Sequence, residues 1–336
     1  MKPVRVLTDP PSGAVPLADL VADGRPALLR GVARDWPLVA AGRDGIAIAH
    51  LGRFDTGAAV TGYVGDPAIG GRFFYDAGMT GLNFRAEQAG LSAWLDRIAA
   101  TAGRADAPSI YLGSTDLDTF LPGLRAECDP GLGDSDFGDR PTVSAWIGNR
   151  TVAATHYDMS SNLACCLVGR RRFTLFPPDA IADLYPGPLE PTPAGQVVAM
   201  ADPRAPDHAR FPHFAHALDR AQVAELEPGD MLYYPALWWH QVEALDDLNV
   251  MVNWWWNAGA GAMDSPMTTL LHGILSLRDR PPAEKEAWRA MFDYYVFGPA
   301  ARPAAHLPDH IRGDLGPIDD RRARRLRARI MQRLAR

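Results

Sequence analysis

Residues 151–178 read TVAATHYDMSSNLACCLVGRRRFTLFPP, and this stretch decides the fold class. Short apolar runs, rich in β-branched and aromatic residues, are punctuated by Gly, Pro, Asp and Asn, which is the composition of strands. Val168-Gly169-Arg170 lies between two such runs and reads as a hairpin turn. Pro177-Pro178 stops the second run, because proline has no N–H to give to a ladder. The same grammar extends outward from Ser109 to Asn257 through SIYLGS, TVSAWIG, DMLYYPA, HQVEAL and NVMVNWWW. Many short strands punctuated in this way predict a sandwich or barrel.

Either side of this core the periodicity changes. Pro26 to Val32 reads as a short buried strand with a turn at Asp35-Trp36-Pro37, and Leu91, Trp94, Leu95 and Ile98 have the spacing of a helix with one buried face. After Asn257, Ser265-Pro266 is an N-cap followed by a first-turn proline. Met267, Leu270, Leu271 and Ile274 then form one stripe, and Trp288, Met291, Phe292 and Tyr295 a second. Arg321 to Arg336 places Ala323, Leu326, Ile330 and Leu334 along one side. The expected organisation is a mixed α/β extension over 1–108, a β core over 109–257 and a helical region over 258–336.

The chain has 336 residues, enough to bury a full core, and 47% of them are apolar. Its formal charge of −6 argues against a generally basic nucleic-acid surface. Cys128, Cys165 and Cys166 form no C-x-x-C pair, and neighbours on a strand point to opposite faces, so free thiols in a reducing compartment are expected. The first twenty residues resemble no signal peptide, and no segment reaches the ~18 apolar residues of a membrane span. A cytoplasmic protein is the expectation.

The sharpest chemical signal is His156-Tyr157-Asp158. On a strand, residues i and i+2 share a face, so an imidazole and a carboxylate converge. With nine histidines and forty acids in this length, about one such triplet arises by chance. The second element is GDMLYYPALWWH, residues 229–240, in which a turn opens a strand, a proline interrupts it and His240 stands at the mouth of the next. In a jelly roll, strands remote in sequence face each other, so His240 can complete the set. Two histidines and a carboxylate leave the opposite coordination positions open, which suits non-haem Fe(II) and O₂. Closed structural zinc needs a fourth protein ligand, and Cys165 and Cys166 on the next strand keep that alternative in view.

TVAATHYDMSSNLACCLVGRRRFTLFPPDAIADLYPGP, then RFPHF, then LEPGDMLYYPALWWHQVEALDDLNVMVNWWW resemble, in order and spacing, the Jumonji C or cupin-like 2-oxoglutarate oxygenases, and among them the asparaginyl hydroxylases. The likeness covers about 115 residues from Val143 to Asn257, and LLRGVARDWPLV near the N-terminus resembles the family's entry segment. It implies a double-stranded β-helix core, mainly β with α extensions, in which His156, Asp158 and His240 bind Fe(II). It also implies oxidative decarboxylation of 2-oxoglutarate to succinate, with O₂ consumed and a C–H bond hydroxylated. Counting from His156, Arg171 stands where the family usually has the lysine that holds the distal carboxylate of 2-oxoglutarate. Arg can clamp a carboxylate with two parallel bonds, although it is longer and planar. Tyr111 matches a tyrosine whose hydroxyl helps hold the co-substrate, and Asn162, Asn253 and Trp255 match residues around it. A second departure is Ala153 in place of a threonine, for which Thr151 or Thr155 could substitute.

The resemblance implies a protein or peptide side chain as substrate, with small molecules and demethylation still open. The loop from about Glu190 to Arg210 is expected to shape the entrance. Trp238, Trp239, Trp254, Trp255 and Trp256 read as core and cavity wall rather than a base-stacking platform. His208, His213 and His216 read as surface residues that form no further ligand set. The eight arginines of 321–336 surround an apolar stripe, which points to a homodimer through C-terminal helices before it points to RNA. A non-oxidative cupin-like protein that binds a small ligand, and an RNA-modifying relative, are the competing readings.

Overall fold

Strands that are apolar on both sides must be covered on both sides, and this governs how the chain is layered. The computed structural model describes residues 1–7, 15–257 and 263–335. Its strands are β1 (Lys2–Pro3), β2 (Arg5–Leu7), β3 (Ala27–Leu29), β4 (Val60–Gly65), β5 (Arg72–Phe73), β6 (Phe84–Ala89), β7 (Ser109–Asp116) and β8 (Thr142–Gly148), followed by β9 (Val152–Tyr157), β10 (Ser161–Val168), β11 (Arg171–Phe176), β12 (Gln222–Leu226), β13 (Met231–Tyr234), β14 (Trp239–Ala244) and β15 (Asn249–Trp256). They form one sheet in the order β1-β12-β11-β14-β9-β5 and another in the order β2-β3-β13-β10-β15-β8-β7-β4-β6. At the centre, β9, β11, β12 and β14 face β8, β10, β13 and β15. These are the two four-stranded antiparallel halves of a jelly roll, with the sheet order that the double-stranded β-helix reading requires.

Alternation along each strand sorts the apolar residues into layers. Ala164, Cys166, Phe173, Leu175, Leu232 and Val242 pack in the barrel interior. Leu163, Cys165, Leu167, Val250 and Val252 point the other way, into an apolar cluster shared with Leu38, Val39 and Ala41 of the helix Pro37–Arg43 and with Leu91, Trp94, Leu95 and Ile98 of the helix Leu91–Ala99. The two adjacent cysteines therefore belong to different layers, and all three thiols are free and buried. Residues before Ser109 enter both sheets through β1 to β6, so much of the N-terminal segment is built into the core.

One local expectation fails. Val168-Gly169-Arg170 is not a hairpin turn, because β10 and β11 lie in different sheets. The three residues carry the chain across the barrel instead. Gly169 has φ +69°, and a Cβ there would lie 2.4 Å from the Leu248 carbonyl oxygen, so the crossing needs a glycine. Asp246 fastens it by accepting from the Arg170 backbone N–H at 2.8 Å and from its guanidinium at 2.9 Å.

Contacts divide the chain into Met1–Ala258 and Gly259–Arg336. The second unit contains the helices Pro266–Leu277, Pro282–Phe292 and Asp320–Leu334. Ser265 caps the first, its hydroxyl accepting from the Met267 N–H at 3.3 Å, and Asp319 caps the last, accepting from Arg322 N–H at 2.8 Å. Unlike the stripe beneath Trp94, the apolar stripes of these helices are not buried, and Ala323 is the only buried residue on any of the three.

Candidate metal centre

β9 and β14 are antiparallel neighbours, and their register sets His156 opposite His240. Between His240↔His156 and Val242↔Ala153 the register slips, so β9 carries one extra residue there. Such a bulge re-aims side chains. It lets Ala153 and His156, three positions apart, both line the same cavity. Thr151 and Thr155 are buried but do not line it, and the Thr155 hydroxyl has no hydrogen-bond partner. Neither threonine takes the place of the one missing at Ala153.

One ligand atom from each of His156, Asp158 and His240 lies within 4.8 Å of the others. The imidazole centroids are 4.3 Å apart, and His240 Nε2 is 3.6 Å from Asp158 Oδ2. Each imidazole is oriented through Nδ1, His156 toward the Ala154 carbonyl at 2.8 Å and His240 toward the Trp238 carbonyl at 2.9 Å. With Nδ1–H donating to a carbonyl, Nε2 keeps its lone pair for a metal. Burial, and the neighbouring His156, push His240 down to about 4, so it is neutral at ordinary pH. The donor set fits a divalent transition metal with positions left open. No thiol joins the cluster among the described residues, so a closed zinc site lacks its fourth protein ligand.

Of the remaining predicted residues, Asn162, Asn253, Trp255 and Tyr111 gather around this cluster, while Arg171 is not among the residues that line its cavity. Asn162 on β10 donates to Asp158 Oδ2 at 3.2 Å, and its oxygen accepts from Asn253 Nδ2 at 2.9 Å and from the Trp255 indole N–H. Trp146 in turn donates to Asn253 Oδ1 at 2.7 Å. This network fixes the Asp158 carboxylate through Oδ2, the oxygen that approaches His240. Asn162→Ala is therefore expected to weaken metal binding by roughly 10- to 100-fold without unfolding the chain, measured by titration of Fe(II) or Co(II) without oxygen.

Tyr111, Asn253 and Trp255 line a cavity of about 460 Å³ that also exposes all three ligand residues. Of the three arginines at 170–172, the middle one points inward, as expected if Phe173 and Leu175 face in. Arg171 is 2% exposed while its two neighbours reach solvent. Its Nη2 donates to the Trp146 carbonyl at 3.1 Å, but its Nε has no partner. Burial pulls its pKa down, with Tyr111 and Cys166 opposing, and burial pushes the Tyr111 hydroxyl well up. A buried guanidinium facing a phenol with no carboxylate to pair it is chemistry suited to a ligand carboxylate.

The tryptophans are core and wall. Trp254 and Trp256 pack under the nine-stranded sheet, Trp238 in the barrel, Trp239 outside the six-stranded sheet, and Trp255 lines the cavity. Thr192 to Gly195 wall the cavity within the expected entrance loop, and Val198 bridges to His156. Sequence reasoning missed Tyr63, Phe73 and Phe84, which form the opposite wall from strands that carry no motif. A more open groove of about 710 Å³ along Gly123–Pro141 contains none of the predicted site residues.

The chain is 34% identical to the lysine-specific demethylase JMJ31 of Arabidopsis thaliana, over 35% of this chain and 21% of that protein. It is 32% identical to lysine-specific demethylase 8 of Xenopus tropicalis, over 44% and 33%. These matches therefore span a third or less of either relative. The bifunctional peptidase and (3S)-lysyl hydroxylase JMJD7 of Homo sapiens is matched along most of its length, at 28% identity over 76% of this chain and 84% of that protein. The family model described as a cupin-like domain matches residues 14–261, well over half of the sequence, and the chain belongs to that family.

Proposed function

We propose that the protein is an Fe(II)- and 2-oxoglutarate-dependent oxygenase that hydroxylates a C–H bond, with a protein or peptide side chain as substrate. What carries this reading is the pairing of two features in one barrel. A two-histidine, one-carboxylate cluster opens onto the cavity, and beside Trp146 and Tyr111 stands a buried guanidinium whose Nε no group of the chain satisfies. His156, Asp158 and His240 would hold Fe(II), and Arg171 with Tyr111 would hold the distal carboxylate of 2-oxoglutarate. The bound metal supplies the redox chemistry by which O₂ converts 2-oxoglutarate to succinate and CO₂ and one oxygen atom enters the substrate. Asn162 orients Asp158, Trp255 and Asn253 brace Asn162, and the aromatic wall of Tyr63, Phe84, Trp146 and Trp255 keeps water from the reacting carbon.

The names of the matched relatives support a protein substrate, and they favour lysine as a target residue alongside the asparagine of the sequence resemblance. The decisive experiment supplies Fe(II), 2-oxoglutarate and O₂ with candidate peptides and small metabolites, and reads products by mass spectrometry. The expected outcome is succinate with a product heavier by one oxygen atom. Loss of a methyl group with release of formaldehyde would instead assign demethylation. Binding of small acids without turnover would leave a non-oxidative cupin, and turnover on RNA alone would favour the nucleic-acid reading. No described helix is long and apolar enough to cross a membrane, and we place the enzyme in the cytoplasm on its free, buried thiols.

The helix Asp320–Leu334 keeps Ile330 and Leu334 half exposed on one face. A homodimer through this face is part of the same proposal. Ile330→Asp with Leu334→Asp is expected to shift the protein from dimer to monomer in sedimentation, and an unchanged sedimentation coefficient would remove the dimer.

A further inference from the structure

Two of the three histidines read as solitary surface residues are not solitary. The helix Phe214–Arg220 begins just after His213 and contains His216, and a spacing of three residues brings both imidazoles to one face of the turn, 5.7 Å apart between centroids. The short helix Ile181–Leu184 faces them with Asp183, whose Oδ1 is 3.9 Å from His216 Nδ1. One ligand atom from each of the three residues falls within 4.8 Å of the others, the same limit that the His156, Asp158 and His240 cluster meets.

From this arrangement we infer a second metal site, formed by Asp183, His213 and His216, that takes a divalent transition ion such as Zn²⁺, Co²⁺ or Ni²⁺. Two imidazoles and one carboxylate are borderline ligands that suit these ions, and a set with one oxygen donor is poor for Ca²⁺ or Mg²⁺. The floor of the site is rigid. Leu184, Phe211, Phe214 and Ala217 are buried in one apolar cluster with Phe176 and Trp239, and the His213 backbone N–H donates to the Tyr185 hydroxyl at 2.9 Å. The charges around it leave the carboxylate free. Arg220 is taken by Asp179, and among the described residues the only ion-pair partner of Asp183 is His216. The two imidazoles and the carboxylate reach solvent, so water completes the coordination sphere.

The position gives the site a consequence. Residues 185–212, between its two halves, include Thr192 to Gly195, which wall the catalytic cavity, and Val198, which bridges to His156. A metal held by Asp183, His213 and His216 fastens both ends of that segment.

The test uses full-length protein without a polyhistidine tag, stripped by chelator, and Zn²⁺ titrated against a chromophoric competitor. The wild type is expected to bind two equivalents, His213→Ala/His216→Ala one, and His156→Ala/His240→Ala one, with Zn²⁺ raising the melting temperature of the last protein but not that of a variant lacking all four histidines. Asp183→Asn, which alters no backbone contact, is expected to lower affinity for one equivalent only. Equal stoichiometry in the wild type and His213→Ala/His216→Ala would overturn the inference. Loss of the equivalent assigned to His156 and His240, with this one retained, would count against the proposed catalytic metal and leave the second site standing.

Discussion

His156→Ala is expected to reduce turnover to background and to abolish the weak visible absorption that Fe(II) and 2-oxoglutarate give together in the absence of oxygen. The substitution removes one of the three protein ligand atoms that cluster among the described residues and leaves His240 and Asp158, with His240 Nε2 3.6 Å from Asp158 Oδ2, to hold the ion alone. Two ligands cannot define the face of the coordination sphere on which a keto acid must chelate. Only His156 Nδ1 is engaged elsewhere, with the Ala154 carbonyl that continues β9, so folding is expected to survive. Circular dichroism and a melting curve check that point. Chelation of the wild type should reproduce the loss, and added Fe(II) should restore the wild type but not the variant. Absorption that persists in folded His156→Ala protein would remove the metal assignment.

How much of this was legible beforehand differs from residue to residue. Core strands with long apolar runs were legible in their composition, as NLACCLVG in β10 is, whereas β12, with Gln222 and Glu225 at least partly exposed, was not read as a strand. The hairpin at Val168 to Arg170 was misread because a two-sheet crossing and a hairpin need the same glycine. Only the tertiary partners Leu248 and Asp246 tell them apart. Arg171 was placed inward by simple alternation with Phe173 and Leu175, which holds because β11 has no irregularity in its pairing with β14. On β9 alternation fails at the bulge, so Thr155 could be offered as a substitute for Ala153 when it points elsewhere. The cavity wall from Tyr63, Phe73 and Phe84 left no trace, since isolated aromatics in short strands have no period. Asp183 meeting His213 and His216 depends on two helices some thirty positions apart docking on one apolar floor, and no local pattern encodes that.

Arg171→Met is expected to separate stability from function. In the ligand-free protein a guanidinium that is 2% exposed has one carbonyl acceptor and an unsatisfied Nε, and it forms no ion pair among the described residues. Taking an unpaired charge out of water costs several kcal/mol, and replacing buried charge by a well-packed apolar chain is often neutral or stabilising by about 1–4 kcal/mol. The melting temperature of the apo variant is therefore expected to equal or exceed that of the wild type. Binding of 2-oxoglutarate should move the opposite way. Leaving a buried carboxylate without its partner costs about 3–5 kcal/mol, which corresponds to a roughly 10²- to 4 × 10³-fold rise in Kd and KM for the keto acid. Arg171→Lys keeps the charge but loses the planar fork, and should recover part of that loss. Calorimetry of 2-oxoglutarate binding and a melting curve measure the two effects separately. A variant that melts well below the wild type and binds 2-oxoglutarate unchanged would make Arg171 a structural residue, because the carboxylate that offsets its burial would then have to lie elsewhere.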